Sequence, residues 1–102
     1  MTYPLSVNFE WDDEKNLINQ QKHGVSFEEA RGLFESDVDY LEIFDSDHSD
    51  FEDRFIAIGP IRRGLVVVIY TEREEDIIRI IGARFANKNE QSLYRSHMDQ
   101  TR

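Results

Sequence analysis

The run Leu65-Val66-Val67-Val68-Ile69-Tyr70 restricts what this chain can become more than any other stretch. Six successive apolar residues, most of them β-branched, suit an extended backbone. With no polar member in the alternation they need cover on both faces. The run is far too short to cross a bilayer as a helix. It predicts a central strand over Leu65–Glu72, and a chain of 102 residues is long enough to build one core around it as a single domain, 1–102.

The flanking sequence supplies the rest of a sheet. Arg54–Ile58 alternates as a strand and meets Gly59-Pro60, which predicts its end there. Arg73–Asp76 reads as a turn and Ile77–Ala83 as the next strand. Val38–Phe44 is a weaker strand, separated from Arg54 by the polar loop Asp45–Asp53. Short loops between successive strands imply an antiparallel meander. Val7–Trp11 adds a short strand at the start.

Helices occupy the two ends. Asp12 suits an N-cap, Asp13 and Glu14 the first turn, and Lys22-His23-Gly24 a C-terminus with a left-handed cap. Trp11 and Ile18, seven apart, are expected on the inner face of this helix. Ser26-x-x-Glu29 is a capping box, and Phe27, Ala30, Leu33 and Phe34 follow at helical spacing. Asn87-x-x-Glu90 resembles a second box, opening a helix whose apolar stripe is Leu93, Tyr94, His97 and Met98. The order is βααββββα, an α+β chain with a small antiparallel sheet, two N-terminal helices and one C-terminal helix.

Charge narrows the function classes. The net charge is -9, which by itself argues against phosphate-rich partners. The charge is unevenly divided, however. Residues 1–53 hold 15 acids and three bases, whereas residues 54–102 hold six acids and nine bases. The second half can therefore carry a basic face. Glu35–Asp53 has nine acids and no Lys or Arg, the pattern of a solvated face and loop. Cysteine is absent, which excludes disulfides and thiolate metal sites and fits a cytoplasmic location. MTYPLSVNFEW lacks the basic start and long apolar stretch of a signal peptide.

Three stretches stand out together: Phe9-Glu10-Trp11-Asp12 running through Lys15 and Asn19 into Lys22-His23-Gly24-Val25-Ser26-Phe27-Glu28-Glu29-Ala30; Arg54-Phe55-Ile56-Ala57-Ile58-Gly59; and Val67–Arg73 followed by Arg79-Ile80-Ile81-Gly82-Ala83-Arg84. In order and spacing they resemble the BrnT family of toxins, over roughly residues 9–95. Relatives usually read ISAR at 81–84, ERF or ERW at 53–55, and carry an Arg where this chain has Gln91. The resemblance implies a RelE-like fold and metal-independent RNA cleavage, with no cofactor, that inhibits translation and growth. It also implies a BrnA-type ribbon-helix-helix antitoxin as partner, with operator DNA contacted only through that antitoxin.

Such cleavage uses the 2′-hydroxyl of RNA as nucleophile and needs a base, an acid and a cation at the phosphate. His23 is the first candidate for acid or base, because imidazole as a group can do both near neutral pH, and Lys22 adjoins it, although both also complement a helix end. Arg73 and Arg84, each near a strand end, offer planar forks for phosphate. These four are the catalytic candidates. Arg54, Arg79, Glu90 and Tyr94 are the RNA-binding candidates. Arg79 interrupts Ile77–Ile81, where it could equally pair with an acid across the sheet, and strict alternation puts it on the face opposite Arg84 unless a bulge intervenes. Glu90 is equally a capping residue and Tyr94 equally a core residue.

Two other functions compete. A catalytically inactive interaction protein that only binds an antitoxin fits the acidic balance and the residues at 82 and 91. Convergence of Lys22, His23, Arg73 and Arg84 on one surface would favour catalysis, and scatter would favour binding. DNA binding by this chain alone is disfavoured by its acidic first half and the lack of a basic recognition helix. Asp45–Asp50 fails as a calcium loop, because position six is Asp50 rather than Gly and position twelve is Ile56 rather than Glu.

Overall fold

The computed structural model describes residues 7–48, 52–74 and 76–100. The start of the chain read above for a leader, Ser49 and Asp50 of the acidic loop, and Glu75 of the predicted turn lie outside them. The elements are β1 (Asn8–Glu10), α1 (Asp13–His23), α2 (Phe27–Glu35), β2 (Leu41–Phe44), β3 (Arg54–Ile61), β4 (Gly64–Arg73), β5 (Ile77–Phe85) and α3 (Lys88–Gln100), with a 3-10 turn at Ser46–His48. This is the predicted α+β order. The five strands lie in the order β1-β5-β4-β3-β2. β2 through β5 form the antiparallel meander. β1 joins the far edge parallel to β5, pairing Asn8 with Ile77 and Glu10 with Arg79, so the sheet is mixed. A parallel pair needs a long crossover, and α1 with everything up to β4 supplies it.

β4 is central, as its composition requires. Val66, Val68 and Tyr70 point to one face and Val67 to the other, all at most 1% exposed. On the first face they meet Phe27, Ala30, Leu33 and Phe34 of α2, with Ala57, Ile78, Ile80 and Ala83 from neighbouring strands. Phe34 anchors this layer, its ring edge-on to both Tyr40 and Tyr70.

The caps form where the sequence places them. Asp12 accepts from Lys15 N at 3.1 Å, and Gly24 closes α1 at φ 71°. Ser26 and Glu29 exchange both bonds of the capping box. The inner face of α1 differs from expectation. Ile18 is 42% exposed and Leu17 is 62% exposed, while the buried residues are Asn16 and Asn19. Asn19 Nδ2 donates to Val25 O (2.8 Å) and Ala83 O (2.7 Å), and Ala83 N donates to Asn19 Oδ1 (3.2 Å). The amide thus mimics a strand partner for β5. Asn16 Oδ1 accepts from Phe27 N, and its Nδ2 donates to Glu28. α1 docks through hydrogen bonds to backbone, not through an apolar stripe. Trp11 packs instead on Phe27.

β3 runs on through Gly59-Pro60 to Ile61 rather than stopping. A Cβ at Gly59 would lie 2.6 Å from Leu33 Cδ1 and 2.7 Å from Tyr40 Cβ, so glycine is there for close packing. Pro60 is tolerated because its partner Leu65 turns its carbonyl to Ala86 N on the other side, making Pro60–Leu65 a pair that exchanges no hydrogen bonds. The chain reverses at Arg62-Arg63. β2 begins at Leu41, later than the predicted Val38.

The second face is thinner. Ile58, Val67 and Ala86 form a small buried cluster, bordered by Leu41, Ile43, Ile56, Leu65 and Tyr94. α3 lies over it without a single buried residue. Its expected stripe contributes mainly Tyr94, and Leu93 is 45% exposed.

Candidate RNA-binding face

The pairing of β5 with β4 holds the detail that positions the cations. Ile69 faces Gly82 and Tyr70 faces Ile80, so Ile81 is an extra residue, a β-bulge. Each bulge shifts the alternation by one. Ile78 and Ile80 point to the α2 face, and beyond the bulge Ala83 does so too. Arg79 and Arg84 consequently share the opposite face, the one carrying α3. The bulge that strict alternation would need is present.

Register extends this face across the sheet. Thr71 pairs with Arg79 on one side and with Arg54 on the other, and Arg73 lies two residues beyond Thr71. Glu10, opposite Arg79 in β1, forms an ion pair with both arginines: Arg79 Nη1 is at 3.4 Å and Arg73 Nε at 3.6 Å. Glu52 stands 4.0 Å from Arg73 Nη2. Three arginines and two carboxylates thus meet at one end of the sheet, with partly exposed side chains. Beneath them Thr71 is 1% exposed, and its Oγ1 has no hydrogen-bond partner among the described residues.

Arg84 lies elsewhere. From the level of Ile77, where Arg73 pairs, to Arg84 is seven residues of strand, about 23 Å. Arg84 grips Glu90 through two bonds, Nη1–Oε1 at 2.7 Å and Nη2–Oε2 at 2.6 Å. The guanidinium holds the Glu90 carboxyl below its usual range, assisted by the Asn87 N–H and opposed by burial. Arg84 is raised in turn by the same bond. Glu90 also completes the capping box with Asn87, bonding at 2.8 and 2.9 Å, so one carboxylate starts α3 and ties it to β5. Tyr94 donates to Asp39 O at 3.1 Å, and burial raises its phenol. Glu90 and Tyr94 hold α3 on the sheet.

Lys22 and His23 sit exposed in the last turn of α1. The bonds of Asn19 to Ala83 and Val25 place this turn beside the edge of β5 at its Ala83 end. Nearby, Arg63 donates to Glu29 and to Gly24 O and lies 5.4 Å over the Phe85 ring. The Arg63 guanidinium lowers the Glu29 carboxyl.

The eight predicted residues therefore divide. Arg54, Arg73 and Arg79 come together; Arg84, Glu90 and Tyr94 form the α3 attachment; Lys22 and His23 lie at the same end of β5 as the second group. Lys22 and His23 do not converge with Arg73. Glu10, Glu52 and Thr71 were missed by sequence reasoning. The only available signal for Glu10 was its place between Phe9 and Trp11 in a strand. Its partner could not be read without knowing that β1 pairs with β5. Among the described residues no three His, Cys, Asp or Glu side chains group as metal ligands.

A family model described as ribonuclease toxin, BrnT, of type II toxin-antitoxin system matches residues 11–90. Among solved structures, the 1.1 Å crystal structure of the Brucella abortus ribonuclease toxin BrnT is similar. It is 24% identical with a TM-score of 0.63, and the match covers 80% of this chain and 99% of that one. At that identity the likeness shows the fold. A search of curated proteins finds no match.

Proposed function

The chain belongs to the BrnT family of ribonuclease toxins of type II toxin–antitoxin systems, and on that premise we propose that it cleaves RNA without a metal ion at the arginine cluster around Glu10. The observation that carries this reading is the register that pairs Thr71 with Arg54 on one side and Arg79 on the other, which sets both arginines on one face with Arg73.

In the resting chain Arg73 and Arg79 share Glu10. An RNA phosphate competes for the same two forks, since guanidinium groups bind phosphate oxygens as readily as carboxylate. As the arginines turn to the phosphate, Glu10 is left as a carboxylate near the 2′-hydroxyl, whose proton it accepts. The oxygen attacks phosphorus, the arginines stabilise the added negative charge, and the 5′ oxygen leaves with a proton from water. The products are a 2′,3′-cyclic phosphate and a 5′-hydroxyl. Arg54 contacts a neighbouring phosphate. Lys22 and His23 then lie outside the reacting centre, and Arg84 and Glu90 act by holding α3.

The physiological reading follows the family. Cleavage arrests translation and growth in the cytoplasm, and a BrnA-type ribbon-helix-helix antitoxin neutralises it and co-represses the operon with it. No helix among the described residues is long and apolar enough to cross a membrane.

A binding-only role is the second reading. Its support is that Arg73, Arg79 and Arg84 each face a carboxylate, while Lys22 and His23 stand apart from Arg73. Purified protein incubated with RNA and a chelator separates the two. The ribonuclease reading expects fragments ending in cyclic phosphate, and no cut where a single 2′-deoxy nucleotide replaces the cleaved one. Intact RNA, or cleavage only on adding a divalent metal, contradicts it.

A further inference from the structure

A trough of about 380 Å³ lies between α2 and the last residues of β3, on the sheet face opposite the arginine cluster. Its apolar lining comes from Gly32, Val38, Pro60 and Ile61, with Glu28 on the rim. Val38 is 45% exposed. β2 pairs with β3 only as far as Ile58, so nothing of the sheet covers Pro60 and Ile61 on this side.

Gly32 is the residue that the fold leaves unexplained. It sits inside α2, where glycine weakens a helix relative to alanine. A Cβ at Gly32 would meet no atom within 4 Å, in contrast to Gly59, where neighbours forbid one. Internal packing therefore gives no reason for glycine at 32. What the missing side chain preserves is the open trough and close access to the α2 backbone.

The surroundings define the occupant. Glu28 lines the trough, and Asp37 stands in the chain between Ser36 and Val38, which also line it; both acids are exposed, and Asp37 belongs to the stretch of nine acids without a Lys or Arg. Arg62 is the one cation lining it. An apolar slot with an acidic border suits an aliphatic side chain carried on a basic segment.

We propose that this trough docks a basic segment of the antitoxin, seating an aliphatic side chain over Gly32 with Lys or Arg residues against Glu28 and Asp37. The proposal rests on the toxin–antitoxin reading but not on the assignment of the RNA site, which lies at the other end of β3, about 23 Å away along the strand. The trough is an anchor, and the rest of the partner reaches the arginine face from it.

The test is calorimetric titration of the purified chain with the BrnA-type ribbon-helix-helix antitoxin proposed as its partner. Gly32→Leu fills the trough and is expected to weaken binding at least about tenfold, while RNA cleavage and melting temperature hold or improve. Asp37→Lys, which leaves the trough open, should weaken binding by about threefold to tenfold and flatten its salt dependence. Unchanged affinity in both variants overturns the docking site while leaving the toxin reading intact. Failure of the unmodified chain to bind that protein overturns the partner and the proposal together. Self-association of the chain that Gly32→Leu abolishes would assign the trough to a second copy, and also overturns it.

Discussion

The two faces of one sheet are built by different rules. The α2 face is closed: aromatic and aliphatic side chains fill it, and α1 is fastened to β5 by the Asn19 amide and to the start of α2 by the Asn16 amide. The α3 face holds a small apolar cluster at one end and arginines at the other, under a helix with no buried residue. The first face supplies the stability of the fold. The second is left thin enough to present charge, and its helix is held by a few polar contacts at Glu90 and Tyr94.

Mutations should respect this division. Phe34→Ala removes the ring that meets Phe9, Tyr40 and Tyr70, and a loss of about 3–5 kcal/mol is expected by denaturant unfolding. Asn19→Ala strands the carbonyls of Val25 and Ala83, at a cost of about 2–4 kcal/mol although the residue is polar. A loss below about 0.5 kcal/mol would show that α1 is not fastened through this amide.

The α3 face should respond less. Glu90→Gln breaks the bidentate pair with Arg84, and because the pair is partly rather than fully buried the expected loss is about 1–2 kcal/mol. The sign with pH is fixed by the lowered Glu90 carboxyl. Its contribution is complete above the ordinary glutamate range and disappears as pH falls through the depressed folded value. Hydrogen exchange in α3 should therefore accelerate as pH falls below the ordinary glutamate range, after correction for intrinsic rates, and Glu90→Gln should remove that acceleration. The Glu29–Arg63 pair titrates in the same direction, but it fastens the β3–β4 turn to α2, and α3 amides distinguish the two. Leu93→Ser, on an exposed position, should change stability by less than about 0.5 kcal/mol.

Local signals were the legible part of this chain. The caps at Asp12, Gly24, Ser26 and Asn87 form as written because each depends on residues within one turn of helix. The core of β4 and α2 was legible from periodicity. What could not be read involves partners distant in sequence. Asn16 and Asn19 look like surface residues until α1 is set against β5 and the α2 start. Gly59-Pro60 looks like a stop until Leu33 and Tyr40 close on it. The bulge at Ile81 decides which arginines share a face, yet it arises from pairing with β4 and has no local signature beyond the adjacent Gly82. The candidate site was therefore half legible: its arginines were visible, and their grouping around Glu10 was not.

Single-turnover cleavage of one RNA by the unmodified chain, Glu10→Gln, Arg79→Ala and His23→Ala, in chelator, tests the central claim most directly. The arginine-cluster account expects Arg79→Ala and Glu10→Gln each to slow the cut by about 100-fold with unchanged far-ultraviolet dichroism, and His23→Ala to cut at close to the unmodified rate. Full activity in Arg79→Ala, or its loss in His23→Ala alone, would contradict it and move the chemistry to the other end of β5.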